Sequence, residues 1–344
     1  MAEDPTAAGI GRWRCDQGHD LMLWGVNDFH RFWDALERAV DAPLGRKWLY
    51  AMADAEERIH TASPSIGWFR KRTRRQQALQ LRRSRMGWGV LDVEANVISS
   101  GVAPSIEIGA ALAHEEATSG QRFSVEWDQP ASNTLRYTLK PRHVDMAAAP
   151  VPPLFHWSSP APSTNESWDH GIVLNRRSVG WFINDQRCFF MPSTVLSYLA
   201  ASLKAVNFAA PSIVDVGLSV EGIVAEEEDV FNAICWSAYQ ASLSSQRMVF
   251  FQTKAELAGV IDAYHHRLGF GHVTISEFDD AATFVLSGSG EHTPLMVGWL
   301  LALVTLGSGH RLQARLRLKT EGWRLQIQAE KISYVESKNA PPQP

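Results

Sequence analysis

Apolar residues recur at period two in "FSVEW" (123–127) and "TLRYTL" (134–139), and again in "LQARLRL" (312–318) and "WRLQIQ" (323–328). That spacing sends alternate side chains to one face and predicts strands with one side buried. "HVTISEF" (272–278) and "TFVLSGSG" (283–290) read as two further strands, and Val90, Val93 and Val97 fall in a strand-like stretch that ends near Gly101. Other segments have a helical period. Val230, Phe231, Ile234, Ala238 and Tyr239 recur at three- and four-residue steps, as do Leu257, Val260, Ile261, Tyr264 and Leu268, so each set makes an apolar stripe on one helix. Pro104 opens "PSIEIGAALAHEEATSG" and Pro294 opens "PLMVGWLLALVTLGSG", with Thr293 as a plausible N-cap. Pro suits a first helical turn, where its missing N–H has no partner to lose, and Gly120 and Gly309 suit the left-handed residue after the last turn.

These elements come twice in the same order. Gly87-Trp88-Gly89 and Gly269-Phe270-Gly271 each run into strand-like sequence and lie 182 positions apart. Gly109 and Gly298, and Gly120 and Gly309, are 189 apart, and Leu135 and Trp323 are 188 apart. Upstream, "FHRFWDALERAV" (29–40) corresponds loosely to "TVLSYLAASLKAV" (194–206). The glycine steps lack the third Gly and the strand-to-helix setting of a dinucleotide loop, so they mark a bend into a sheet rather than a phosphate site. The pattern predicts an α+β protein made of one fold twice, each copy a group of helices packed on an antiparallel sheet. The copies would span 1–144 and 170–335, joined by a Pro/Ser-rich linker at 145–169 and followed by a tail at 336–344.

This order resembles the 4-vinyl reductase domain family. The likeness rests on Gly87-Trp88-Gly89, Pro104, Gly109 and Gly120 in the first half, and on Gly269-Phe270-Gly271, Pro294, Gly298, Gly309 and Gly322 in the second. That family includes a bacteriochlorophyll-biosynthesis accessory protein and the sensing domains of aromatic-responsive transcription activators; the vesicle-tethering transport-particle subunits are structurally akin. The resemblance implies a pocket between helices and sheet that holds an apolar molecule, or a surface that assembles complexes. Many members bind a metal through cysteines near the Pro-initiated helix and in the last strands. This chain has no cysteine between Cys15 and Cys188 and none after Cys235, and the matching stretches offer Ser105 and Ile106, or Leu295 and Met296. None of those is a usual zinc ligand, so no metal is expected.

Composition narrows the setting. The 344 residues are 45% hydrophobic with a net charge of −4, so no overall basic field invites nucleic acid. Three scattered cysteines make no disulfide framework and point to a reducing compartment. The N-terminus has no signal-peptide pattern, and the longest apolar run, Leu295 to Leu306, is shorter than the roughly 20 residues a bilayer span needs. A cytoplasmic protein is expected, with room for peripheral docking on the cytoplasmic face of the inner membrane.

Catalytic constellations are missing. His265-His266 with His272 is the densest histidine group, but neighbouring helical residues point about 100° apart, so the pair does not converge on one metal. "AHEEA" (113–117) has Thr118 where a zincin helix needs its second His. "GSGEH" (288–292) and "GSGH" (307–310) set a Ser near a His without a nucleophile elbow. The sharpest charge feature is "WFRKRTRRQQALQLRRSR" (68–85), which has no acid. Arg70, Lys71, Arg72, Arg74, Arg75, Arg82, Arg83 and Arg85, edged by Trp68 and Phe69, are the candidate contacts for an acidic protein partner or an anionic membrane surface. A solvated basic helix with no special role, and nucleic acid, are the competing readings.

Two functions follow as expectations. One is a non-enzymatic scaffold or peripheral subunit of a larger bacterial complex, with a (bacterio)chlorophyll-linked photosynthetic membrane complex preferred on the resemblance. The other is a binding or sensing module for a tetrapyrrole or other apolar ligand, with Trp88, Phe270 and Trp299 lining its pocket. No cofactor is expected beyond such a tetrapyrrole. A reductase would need a hydride source, and no nicotinamide or flavin fingerprint is present.

Overall fold

A computed structural model describes residues 4–9, 11–62, 71–158, 172–208, 216–279, 281–308, 310–320 and 322–329. The first half begins with strands β1 (Thr6–Ala7), β2 (Trp13–Arg14) and β3 (Asp20–Gly25), followed by helices α1 (Val26–Val40), α2 (Gly45–Ala62) and α3 (Lys71–Met86). The hairpin β4 (Val90–Asp92) and β5 (Val97–Ser99), helix α4 (Pro104–Ser119) and the hairpin β6 (Phe123–Ala131) and β7 (Thr134–Pro141) complete it. The second half runs β8 (Asn175–Arg177), β9 (Gly180–Ile183), β10 (Gln186–Pro192), α5 (Thr194–Leu203), β11 (Val216–Glu221), α6 (Ala225–Leu243) and α7 (Lys254–Tyr264). Then come β12 (His272–Phe278), β13 (Ala281–Ser287), α8 (Thr293–Ser308), β14 (Leu312–Lys319) and β15 (Gly322–Ala329).

The fold is α+β, with three sheets among the described residues in the orders β1-β2-β3-β10-β9-β8, β11-β14-β15-β13-β12 and β4-β5-β7-β6. All pairings are antiparallel except β11 with β14. Two expectations need correction. The stretch from Val90 to Val97 is a hairpin and not one strand, because Asp92 Oδ1 accepts from the Glu94 and Ala95 N–H groups and Asn96 turns left-handed. Thr293 does not cap α8 from outside. It is the first residue of α8, and its Oγ1 contacts the carbonyls of Trp157 and Gly290. Gly309 lies outside the described residues.

The six-stranded sheet joins the halves. β3 and β10 pair through five residues each, Leu21 to Gly25 against Pro192 to Cys188. Both are buried on two faces, so their sequences "DLMLWG" and "QRCFFMP" are apolar runs without alternation. Helix α1, which follows β3, packs on α6, and α5, which follows β10, packs on α2. Each half therefore seats its hairpin and first helix on the other half's body, and one hydrophobic core extends through both.

Corresponding contacts hold the two bodies. The Trp13 indole N–H donates to Arg267 O at 2.8 Å, and the Trp181 indole N–H to Arg85 O. Each accepting carbonyl lies two residues before a glycine, Gly269 or Gly87, whose φ is +81° or +79°. A Cβ at Gly269 would stand 2.7 Å from Leu21 O, and one at Gly87 would stand 3.1 Å from Cys188 O. Helices α2 and α4 touch where a Cβ on Gly109 would meet Leu49 O at 2.4 Å; α6 and α8 touch where one on Gly298 would meet Cys235 O at 2.1 Å. Positions in the two halves thus match at separations of 168 for β2 and β9 (Trp13 and Trp181), 167 for β3 and β10 (Leu21 and Cys188), and 186 for α2 and α6 (Leu49 and Cys235). The matching separations are 182 around the glycine step and 189 for α4 and α8. Helix α8 is buried at every position from Thr293 to Val304, and α4 from Ser105 to His114, as befits helices with little amphipathic bias.

Candidate functional site: an apolar cleft in the second half

The basic run divides along α3. Trp68, Phe69 and Arg70 lie outside the described residues, as do the side chains of Lys71, Arg72 and Arg75; Arg74 is exposed. Farther along, the cations turn inward. Arg82 forms a two-pronged pair with Glu56 at 2.6 Å for each contact. Arg83 is 1% exposed and donates to Glu107 Oε2 at 2.9 Å and Trp88 O at 2.8 Å. Arg85 lies 3.6 Å from Asp4 and 3.9 Å from Asp16. Arg83 therefore cannot belong to a partner surface, and Arg82 and Arg85 already have intramolecular carboxylates. Helical spacing explains the split: a run of cations faces every side of a helix, so some of them must face the core. Burial raises the Glu56 pKa, and the Arg82 guanidinium more than offsets it, so the carboxyl titrates below its ordinary value. Burial dominates at Glu107, which titrates high despite Arg83.

The three pocket candidates also separate. Trp88 is buried in the first half, with its indole N–H on Phe190 O at 2.8 Å and the Arg82 guanidinium 5.8 Å from its ring. Of the three, only Trp299 lines the cleft described below; Trp88 lies away from it and Phe270 stands behind Trp299. Phe270 and Trp299 do meet, edge to face at 4.5 Å, and Trp24 joins them at 5.2 Å and 5.6 Å. Trp24 comes from β3, at the seam between the halves. Its place at the site is set by the strand pairing of distant segments, and the nearest sequence signal is the apolar run "LMLW".

Beside this aromatic cluster a cleft opens between the start of α1, the end of α6, the end of α7 and one side of α8. Trp24, Leu268, Trp299, Leu303 and Leu306 give it apolar walls, and it encloses about 60 Å³. A segment without regular secondary structure over 247–251 borders it, with Arg247 and Val249 in its lining. At the margin Asp28 accepts from Arg31 at 3.0 Å and from Arg247, whose guanidinium lies 5.2 Å from the Tyr264 ring centre. Two polar atoms in the walls have no partner. The indole Nε1 of Trp24, a residue 1% exposed, and Nδ1 of His265, a residue 5% exposed, are both buried without a hydrogen bond. Burial, then His266 and Arg247, drive the His265 pKa down to about 3, so this imidazole is neutral. A buried donor without an acceptor costs about 1–3 kcal/mol, which a ligand oxygen would recover.

The remaining candidates have structural places. His266 bridges Asp262 at 2.5 Å and the Val273 N–H at 2.9 Å, while His265 turns toward Trp299 with ring centres 5.4 Å apart. The adjacent pair does point apart, as helical geometry requires. Ser289 Oγ lies 2.8 Å from Thr293 Oγ1, whose hydroxyl also contacts the carbonyls of Trp157 and Gly290. All three cysteines are buried thiols, and among the described residues no group of His, Cys, Asp and Glu is arranged to hold a metal. Among those residues no helix is long and apolar enough to cross a membrane. No family model, no curated protein and no solved structure matches this chain.

Proposed function

We propose that this chain is a non-enzymatic binding protein built of two diverged 4-vinyl reductase-like domains, and that its ligand is an apolar molecule inserting one oxygen-bearing edge into the second-half cleft. The observation that carries this reading is the pair of unpartnered buried atoms, Trp24 Nε1 and His265 Nδ1, within otherwise apolar walls. The apolar walls supply affinity without orientation, and the two polar atoms fix which edge enters. The tetrapyrrole that the family resemblance implies is one apolar molecule of this kind. The test is a titration of tryptophan fluorescence with 1-naphthol and 1-methylnaphthalene, which differ in the oxygen. The hydroxyl compound should bind about tenfold tighter, and Trp24→Phe with His265→Phe should abolish that preference. Equal affinity for the two, or no saturable quenching, would overturn it.

A second reading, as a peripheral subunit of a larger bacterial complex, draws on Met248 and Phe250. They are 98% and 73% exposed, on the same segment that borders the cleft. A photosynthetic membrane complex as the partner rests on the family resemblance alone. Replacing both residues with Ser should release the protein from its host membrane fraction; undiminished co-sedimentation counts against this reading.

A further inference from the structure

A second cleft, sharing no residue with the apolar one, lies between the N-terminal hairpin and the turn before α8. Arg12, Asp20, Ser193, Glu291 and His292 line it together with the turn at 288–290, and it encloses about 140 Å³. Two of its polar atoms are buried without partners: Ser193 Oγ, in a residue 3% exposed, and His292 Nε2, in a residue 5% exposed. Nε2 stands 3.9 Å from Glu291 Oε1, beyond hydrogen-bond reach but close enough for one inserted donor to serve both. Burial keeps the imidazole neutral, so Nε2 can accept.

In the first half the matching place is filled by the protein itself. The Arg187 guanidinium donates to the carbonyls of Gly87 at 3.3 Å, Ser100 at 2.5 Å, Gly101 at 3.1 Å and Val179 at 2.6 Å. At the separations given above these carbonyls match those of Gly269, Ser289, Gly290 and Gly11, and the first three residues line the second cleft. The residue matching Arg187 is Asp20: Arg187 pairs with Phe182 as Asp20 pairs with Arg14, one step from the matching Trp181 and Trp13, so a carboxylate that lines the cleft stands where the first half has the guanidinium. The second half therefore lacks the guanidinium. Its carbonyls of Ser289, Gly290 and Gly11 accept from the His292 N–H, from Thr293 Oγ1 and from the Gly271 N–H. The cleft presents the carboxylates of Asp20, which also accepts from Arg14 at 2.9 Å, and of Glu291. One cation also faces the cleft: Arg12 stands where the first half has Gly180, and among the described residues it forms no ion pair.

We propose that this cleft binds a small molecule bearing both a guanidinium and a carboxylate, with the guanidinium held between Asp20 and Glu291 and the carboxylate on Arg12. Charge-assisted pairing at both ends makes the site selective for a zwitterion of amino-acid size. Calorimetric titration of the full chain with free arginine, agmatine and citrulline tests it. Arginine should bind at one site, citrulline, which keeps the shape without the cation, at least about tenfold more weakly, and agmatine, which lacks the carboxylate, at an intermediate level. Arg12→Ala should reduce arginine to the agmatine level, and Glu291→Gln should weaken arginine and agmatine alike. Citrulline binding as tightly as arginine, no arginine binding up to about 10 mM, or indifference to both substitutions in a folded protein would overturn the proposal.

Discussion

The same place in the fold is locked in the first half and open in the second. Around α2, α3 and α4 two ion pairs close it, Arg82 with Glu56 and Arg83 with Glu107. The matching positions in the second half are Tyr264 and Ser242, then His265 and Met296. Where α4 has Ala110, α8 has Trp299. Charged partners draw the surrounding helices together because each charge is costly to leave alone in a dry interior. Neutral residues carry no such penalty, and the bulky Trp299 holds the cleft walls apart. A change in the chemistry of a few positions, on a matching set of helix contacts, replaces a structural staple by an apolar cleft.

The largest effect should come from opening the lock. Glu107→Ala leaves Arg83 charged and buried, and should lower the unfolding free energy in urea by about 3–5 kcal/mol. Arg83→His together with Glu107→Met, which installs the second-half residues, should recover most of that loss. If the single and double variants are equally unstable, charge is not what distinguishes the halves.

Next in size, Gly298→Ala should cost about 1–3 kcal/mol, since its Cβ would stand 2.1 Å from Cys235 O and force α8 off α6. Gly109→Ala should cost a similar amount by meeting Leu49 O at 2.4 Å. A large difference between the two in thermal unfolding would break the correspondence of the helix pairs.

Transplanting the lock gives a functional effect. Ser242→Glu with Tyr264→Arg places the Glu56–Arg82 pair in the second half and should weaken 1-naphthol binding about tenfold while leaving the far-UV circular dichroism unchanged. Undiminished binding would show that the cleft is not where the probe sits.

The smallest effect concerns two carboxyls of α2 with opposite titration. Burial, then Glu57, push the Asp54 pKa from 3.8 to about 6. Its folded value exceeds its unfolded one, so stability falls as pH rises from about 4 to 6, and the cost is complete above that window. Asp54→Asn should therefore stabilise the protein at pH 7, by at most about 1 kcal/mol because water screens this partly exposed group. Glu56 has the opposite sign: its folded pKa is depressed, so its contribution is present above its ordinary value of 4.5 and is lost as pH falls through the folded value. Urea midpoints across pH 4–8 for Asp54→Asn check the first; flat pH dependence of the difference would contradict it.

Much of the secondary structure was legible from the sequence. The period-two segments became β6, β7, β14 and β15, and the Pro-opened stretches became α4 and α8. The six-stranded sheet was not, because strands buried on both faces have no alternation to read and two of its pairs are very short. At the cleft, Trp299 was visible as an aromatic beside a conspicuous glycine, with Phe270 packed behind it, whereas Trp24 and Asp28 lie more than 200 positions from Arg247 in the chain. The basic run was conspicuous in the sequence, but which of its cations face inward depends on where Glu56 and Glu107 are brought by other helices.

The sequence by itself determined the α+β class, the order of elements and their matching glycines, because these follow from local periodicity and backbone sterics. Only the tertiary structure decided that the halves exchange their hairpins and first helices, that one half is stapled by buried charge, and that the other keeps two unpartnered atoms in an apolar cleft. Those outcomes depend on desolvation, which is a property of the neighbours a side chain acquires on folding and not of its position in the chain.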